Sequence, residues 1–327
     1  MQKIHRILVA IKNPEAPSLP ALDKALQLAQ AFGASLEIYH AIAEPVYMEY
    51  ELSDQSLRAL TDTRVAGYRK KLESLAARAA ALRVSANVSV DWEYPTYQAI
   101  VRRAHLTHAD LIVAECHQGR RTLPWLVHVT DWELLRTSHV PVLLVRTPEP
   151  YQRPLVLAAI DPTQAHGKPE KLDREILSAA GRISRALSGS VHAMHAYCPV
   201  PLDVPSSAIR SDASAALLYQ AVRAQARTMF ERVARHARIP RARRHLIDFD
   251  PVLAIPETAH DVGADLVVMG AVSRSGLKRI LVGNTAERAL GAIHCDVLVV
   301  KPKRFASHVD DDVRGVRLVA PQLPYAY

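Results

Sequence analysis

Glycine is scarce in this chain: only 12 of its 327 residues are glycine, and five of the 12 fall between Gly263 and Gly291. The three cysteines, Cys116, Cys198 and Cys295, are odd in number and widely spaced, which argues against a disulfide framework and favours a reducing compartment. No apolar run approaches the roughly 20 residues of a membrane-spanning helix, and the N-terminus lacks the apolar core of a signal peptide. We therefore expect a cytoplasmic protein without a membrane segment.

Positive charge is concentrated in the second half of the chain. The net charge is +8, and residues 1–150 contribute only +1, from 17 Lys and Arg against 16 Asp and Glu. Part of the excess in the second half is a run of arginines: Arg235, Arg238, Arg241, Arg243 and Arg244. Such a run can bind nucleic acid or other anions. Because no aromatic residues alternate with it, we interpret it as a solvated helix end and loop, with nucleic-acid binding as the alternative.

The sequence contains an internal repeat. The matching segments, each pair separated by 155 positions, are 109–113 with 264–268 and 141–146 with 296–301. A period this long indicates a duplicated domain rather than a solenoid, and the length of the chain also suggests two domains. The Pro-bearing link at 147–150 marks the join. We expect domains at 1–148 and 153–304, followed by a C-terminal tail at 305–327.

Each half alternates short apolar runs with amphipathic helical patterns. In the first half the apolar runs lie near 6–11, 35–41, 87–93, 110–115 and 141–146. Continuous apolar runs are typical of strands buried on both faces of a parallel sheet, and intervening helices imply right-handed βαβ units. The predicted fold is α/β, with two tandem doubly wound parallel-sheet domains. Ligands of such sheets bind at the carboxyl ends of the strands, where the strand order reverses.

The glycine cluster lies where such a ligand would bind. The strand that includes Met269 is predicted to end at Gly270, and Asp161 falls at the carboxyl end of the first strand of the same half. Glycine at a strand end allows close approach of a ligand, and a helix starting near Asn284 or Thr285 would offer N–H groups to a phosphate. Neither the Walker pattern nor the dinucleotide GxGxxG pattern is present. The spacing alone leaves two alternatives open, a nucleotide site and glycines with only structural roles.

The spacing of residues in the glycine cluster matches that of a known protein family. Gly270, two residues, Ser273, nine residues and Gly283 resemble the nucleotide loop of the universal stress protein family, in which Gly, two residues, Gly, nine residues and Gly precede Ser or Thr. Asp161 matches the family's first-strand Asp, and Asp250-Pro251 resembles its third-strand turn. The resemblance covers both halves to about residue 304, and the tandem type of the family matches best.

The resemblance implies a Rossmann-like fold whose two domains pack as an intramolecular pseudo-dimer through the last strands, 142–145 and 297–300; a further homodimer is left open. It also implies ATP as a cofactor of the C-terminal domain. The implied cofactor-binding positions are Asp161, Met269, Gly270, Ser273, Arg274, Gly276, Gly283, Asn284 and Thr285. We predict no catalytic residues.

The loop departs from the family pattern, which leaves ATP binding open. Ser273 replaces the second glycine, so a Cβ crowds the phosphate position or forbids positive φ, and Asn284 replaces Ser or Thr. In the first half the loop glycines are absent: Glu115 stands at the position of Gly270, and Lys12 replaces Asp161. We expect no ATP binding there, since a carboxylate repels phosphate.

The predicted function is that of a non-enzymatic cytoplasmic stress-response factor, with a small-ligand or nucleotide pocket in the C-terminal domain. The alternative is an ATP-binding regulator or weak ATPase using the same domain. Its partner is an unidentified protein or small ligand, not a membrane.

No metal site is predicted, because His192 and His195 lie an odd number of residues apart on one strand and face opposite sides. Thr130 is expected to cap a helix, with Glu133 completing a capping box.

Overall fold

The computed structural model describes residues 3–47, 54–116, 129–163, 172–198, 212–271, 289–302, 309 and 315–319. The chain divides into two compact units. The first unit contains the described residues up to residue 150 together with 309 and 315–319, and the second contains the described residues from 151 to 302.

The first unit is built around a parallel sheet. Its elements are β1 (Arg6–Ala10), α1 (Pro20–Phe32), β2 (Ser35–Ile42), β3 (Val46–Tyr47), α2 (Asp54–Ala81), β4 (Ala86–Trp92), α3 (Thr96–Leu106), β5 (Leu111–Glu115), α4 (Val129–Thr137) and β6 (Val142–Val145). The strands lie in the order β4-β2-β1-β5-β6, all parallel. Such an order reverses direction between β1 and β5, as doubly wound sheets do.

The second unit repeats this plan. Its elements are β7 (Leu155–Ala159), α5 (Leu172–Ala186), β8 (Ser190–Tyr197), α6 (Asp212–His236), β9 (Arg244–Asp248), α7 (Pro251–Asp261), β10 (Leu266–Gly270) and β11 (Asp296–Val300). The strands lie in the order β9-β8-β7-β10-β11, again parallel. The equivalent orders confirm the predicted α/β class and the duplication.

Burial of the central strands explains their continuous apolar sequence. All five residues of β10 and all five of β11 are buried, because helices cover both faces of a parallel sheet.

The ends of two helices are set by neighbouring residues. Gly33 ends α1 in the left-handed conformation at φ 63°, which glycine adopts without strain. Asp250 caps α7 by accepting the N–H of Val252 at 2.7 Å, and Pro251 occupies the first helical position.

The helix α4 is described from Val129 to Thr137. Residues 117–128 lie outside the described part of the chain, so the capping role of Thr130 stays a prediction. The C-terminal segment contains a short strand, β12 (Leu318–Val319), which pairs in parallel with β3. Arg317 of this segment stacks over the Tyr94 ring at 5.1 Å. The tail therefore belongs to the first unit, although the sequence pattern assigned it no element.

Within the part of the chain that the structure describes, no helix combines the length and the apolar character needed to cross a bilayer.

Candidate functional site

The carboxyl ends of β7 and β10 form the candidate site of the second unit. These two strands are neighbours, and the chain leaves them toward opposite edges of the sheet, which creates the crevice where such folds bind ligands. Asp161 follows β7 by two residues, and Gly270 is the last residue of β10. The register pairs Val268 with Ala158, so Gly270 lies level with the residue before Asp161. Tertiary structure thus brings together two predicted positions that are 109 residues apart in sequence.

Asp161 is held in place by the start of α5. Its main-chain N–H donates to Oδ1 of Asp173 at 3.1 Å, and its own Oδ1 accepts the hydroxyl of Thr163 at 2.7 Å. Asp161 is half-buried. A fixed carboxylate at a strand end can accept hydrogen bonds from ligand hydroxyl or amino groups.

Gly270 has a packing role that the sequence pattern did not indicate. A Cβ at this position would lie 2.7 Å from Cδ2 and 2.9 Å from Cγ of Leu172, and 3.2 Å from Cδ1 of Ile176. The missing side chain lets α5 pack closely over the end of β10. Its neighbour Met269 is 5% exposed, so that side chain belongs to the core. A role for either residue in ligand binding stays a prediction.

The remaining predicted positions follow Ala271. Ser273, Arg274, Gly276, Gly283, Asn284 and Thr285 lie outside the described residues. Their assignment to a ligand loop therefore stays a prediction from the sequence.

Two buried histidines beside the strand ends make contacts that the sequence analysis did not predict. Nδ1 of His195, on β8, lies 3.2 Å from the carbonyl oxygen of Ile160, and Nδ1 of His40, on β2, lies 2.8 Å from that of Ile11. Because a carbonyl only accepts, Nδ1 carries the proton in both rings. Burial lowers the pKa of His40 and so favours its neutral form. The signal was available, since the two histidines lie 155 positions apart.

His192 lies on the other face of β8, as predicted. Its Nδ1 is 3.0 Å from Nε2 of His245, and the two rings stack. Burial is the main cause that lowers the pKa of each ring. Among the described residues, no cluster of three or more His, Cys, Asp or Glu side chains could hold a metal ion.

In the first unit, the chain's own side chains occupy the equivalent edge. Cys116, directly after β5, donates its thiol to Oδ2 of Asp131 at 3.5 Å, and both residues are buried. Burial raises the pKa of the Cys116 thiol to about 11, so the thiol stays protonated. Lys24, 1% exposed, donates to the hydroxyl of Thr147 at 2.7 Å. The two units therefore differ at the edge where a ligand would bind.

Comparison with known proteins agrees with the repeat. The model of the family described as "Universal stress protein family" matches residues 3–146 and again 156–301. Universal stress protein E of Salmonella typhi is 26% identical over 314 residues, covering 94% of this chain and 98% of that protein.

Two solved structures share the fold. A functionally unknown protein from Pseudomonas aeruginosa PAO1 has a TM-score of 0.71 at 23% identity, covering 92% of this chain and 93% of its own. A universal stress protein from Archaeoglobus fulgidus has a TM-score of 0.61 at 16% identity, covering 90% of this chain and 98% of its own.

Proposed function

The chain belongs to the universal stress protein family, of which it contains two tandem domains, and from that premise we propose that it is a non-enzymatic cytoplasmic stress-response factor with one ligand site. We place the two domains at 1–148 and 153–304, and the site at the carboxyl ends of β7 and β10 in the second. The ligand class we propose is a nucleotide.

The difference between the two units carries this proposal. In the second unit, a half-buried carboxylate (Asp161) and the main chain at Gly270 lie at the strand ends. In the first unit, Lys12 replaces the carboxylate, Glu115 adds a negative charge, and the Cys116 pair with Asp131 fills the edge. A carboxylate can accept the hydroxyls of a ribose, whereas Glu115 would repel a phosphate.

The groups that we assign to this edge bind and orient a ligand without supplying chemistry. Asp161 accepts hydrogen bonds, and the main chain at Gly270 lies at the end of the neighbouring strand, level with the residue before Asp161. Neither provides an activated nucleophile, which requires a base within hydrogen-bond reach. We therefore assign the protein to ligand-dependent regulation rather than to catalysis.

Calorimetry with ATP and Mg²⁺ on the full chain tests the site. Asp161→Ala removes a charged hydrogen-bond partner, so we expect affinity to fall by roughly 10- to 100-fold. Lys12→Ala, the equivalent change in the first unit, is the matched control and should leave affinity unchanged. Equal loss in both variants would contradict the assignment to the second unit.

Ser273→Gly separates the two versions of the proposal. Binding by the intact protein favours an ATP-binding regulator or weak ATPase. Binding only after Ser273→Gly shows that one side chain excludes ATP, and the site then serves another small ligand. No binding of ATP by either form refutes a nucleotide as the ligand class.

A further inference from the structure

A cleft of about 960 Å³ lies in the second unit, between α5 and the C-terminal part of α6. It extends from Pro162, near the end of β7, to Arg243, just before β9. Its walls include apolar side chains that are half-buried or buried: Leu177, Val191, Met229, Val233 and Ile239. A volume of this size is in the range of small-molecule sites.

Five exposed arginines also line the cleft: Arg174, Arg185, Arg232, Arg238 and Arg243. None of the five forms an ion pair with a carboxylate among the described residues. By contrast Arg244, from the same run of sequence, is bound to Glu231 at 2.6 Å. The acidic residue in the lining, Asp173, already accepts the N–H of Asp161. The lining therefore has an excess of positive charge, with five exposed arginines against the single carboxylate of Asp173.

The first unit provides an internal comparison, because its groove between α1 and α2 is closed. Arg78 of α2 donates to Asp23 of α1 at 2.7 Å, and Gln30 of α1 donates to the carbonyl of Leu82 at 3.1 Å. Leu26, also on α1, is buried, with 3% of its surface exposed.

The residues at the equivalent positions of the second unit cannot form these contacts. At the offset of 155, which also relates the starts of β2 and β8, the residues change in four places. Asp23 becomes Ser178, Leu26 becomes Gly181, Gln30 becomes Arg185, and Arg78 becomes Val233. The residues that form the ion pair, the bridging amide and the buried leucine in the first unit are therefore Ser178, Val233, Arg185 and Gly181 in the second, and all four line the cleft.

Gly181 shows that the opening is not required by packing. A Cβ added there would meet only Nη2 of Arg185, at 4.0 Å. Glycine inside a helix is less favourable than alanine, because its backbone loses more conformational freedom on folding. Since nothing in the packing demands glycine, its effect is to leave space at the centre of the cleft.

We propose that this cleft is a second binding site, for a small organic anion. The apolar walls would hold an aliphatic or aromatic body, and the arginines would bind its phosphate or carboxylate groups, which the guanidinium fork engages in bidentate fashion. This site is the groove between α5 and α6, and neither Asp161 nor Gly270 is part of its lining.

Fluorescence titration of the full chain with 8-anilinonaphthalene-1-sulfonate, an aromatic anion, tests the proposal. The fluorescence of this probe rises when it binds. Gly181→Leu, which introduces the residue found at the equivalent position of the first unit, should abolish this rise. Gly181→Ala should bind like the wild type, which separates filling of the cleft from a change in helix stability. Circular dichroism will show that both variants remain folded.

The arginine run offers a matched pair of double variants. Arg238→Ala with Arg243→Ala should weaken probe binding at least about tenfold, since each removes a charged partner. Arg235→Ala with Arg241→Ala removes two exposed arginines that do not line the cleft and should have no effect. Asp161→Ala should also leave the probe affinity unchanged.

Two results would overturn the proposal. One is unchanged probe affinity in Gly181→Leu. The other is an equal loss of probe affinity in the two double variants, together with an equal loss of affinity for a short fluorescein-labelled DNA strand. That result would mean that the arginine run binds nucleic acid as an open charged surface.

Discussion

Lys301 provides a prediction about stability and pH. It directly follows β11, is 5% exposed, and burial lowers its pKa to about 7 from an ordinary value of 10.5. The charged ammonium is costly to bury, so the folded protein releases its proton more readily than the unfolded chain does.

The sign follows from proton binding. Between pH 7 and 10.5 the unfolded chain retains this proton and the folded protein has largely lost it, so the free energy of unfolding rises with pH. The slope approaches about 1.4 kcal/mol per pH unit above pH 8, and the gain between pH 7 and 9 is about 2 kcal/mol, because at pH 7 the folded protein has lost only about half of this proton. Below pH 7 both states carry the charge, so the dependence of stability on pH ends there. Lys301→Met removes this dependence and should be the more stable form at neutral pH.

Urea denaturation at several pH values measures the effect. Far-UV circular dichroism follows the unfolding of the whole chain, and the difference in pH slope between the wild type and Lys301→Met isolates the contribution of Lys301. Lys70→Met, an exposed position on α2, is the matched control. Equal pH slopes for the wild type and Lys301→Met would refute the reasoning.

Two further predictions concern buried polar groups. The Tyr151 hydroxyl donates to Oδ2 of Asp296 at 2.6 Å, and both residues are buried. Tyr151→Phe should therefore lower the free energy of unfolding, measured by urea denaturation, by about 2 kcal/mol. A loss below about 0.5 kcal/mol would contradict this role of the hydrogen bond. Among the thiols, exposed Cys198 should react with a disulfide reagent at pH 8 well before Cys116, which is buried and whose pKa is raised to about 11. Comparable reaction rates of the two thiols in the folded protein would contradict the burial of Cys116.

Much of the fold was predictable because its signals are local. The apolar runs placed the strands of the first unit within one or two residues of β1, β2, β4, β5 and β6. Asp250 and Pro251 marked the start of α7 through capping chemistry that involves only neighbouring residues. The offset of 155 then implied that the second unit would repeat the first, and its strand order does.

The candidate site was predictable only in part. Asp161 and Gly270 could be placed at strand ends, but the contact between Gly270 and Leu172 joins segments almost 100 residues apart. The thiol of Cys116 likewise meets Asp131 only because α4 returns to the end of β5. Nothing in the local pattern around either residue shows which side chain will be its neighbour.

The sequence by itself determined the duplication, the doubly wound class and the family, because periodicity, capping and repeat spacing are properties of consecutive residues. Only the tertiary structure decided what the scarce glycines do. The missing side chain of Gly270 leaves room for Leu172 of α5, and Gly181 lines a cleft at the position where the other copy has the buried Leu26. The volume around a residue depends on helices and strands far away in the chain, and close packing makes the absence of one side chain matter there.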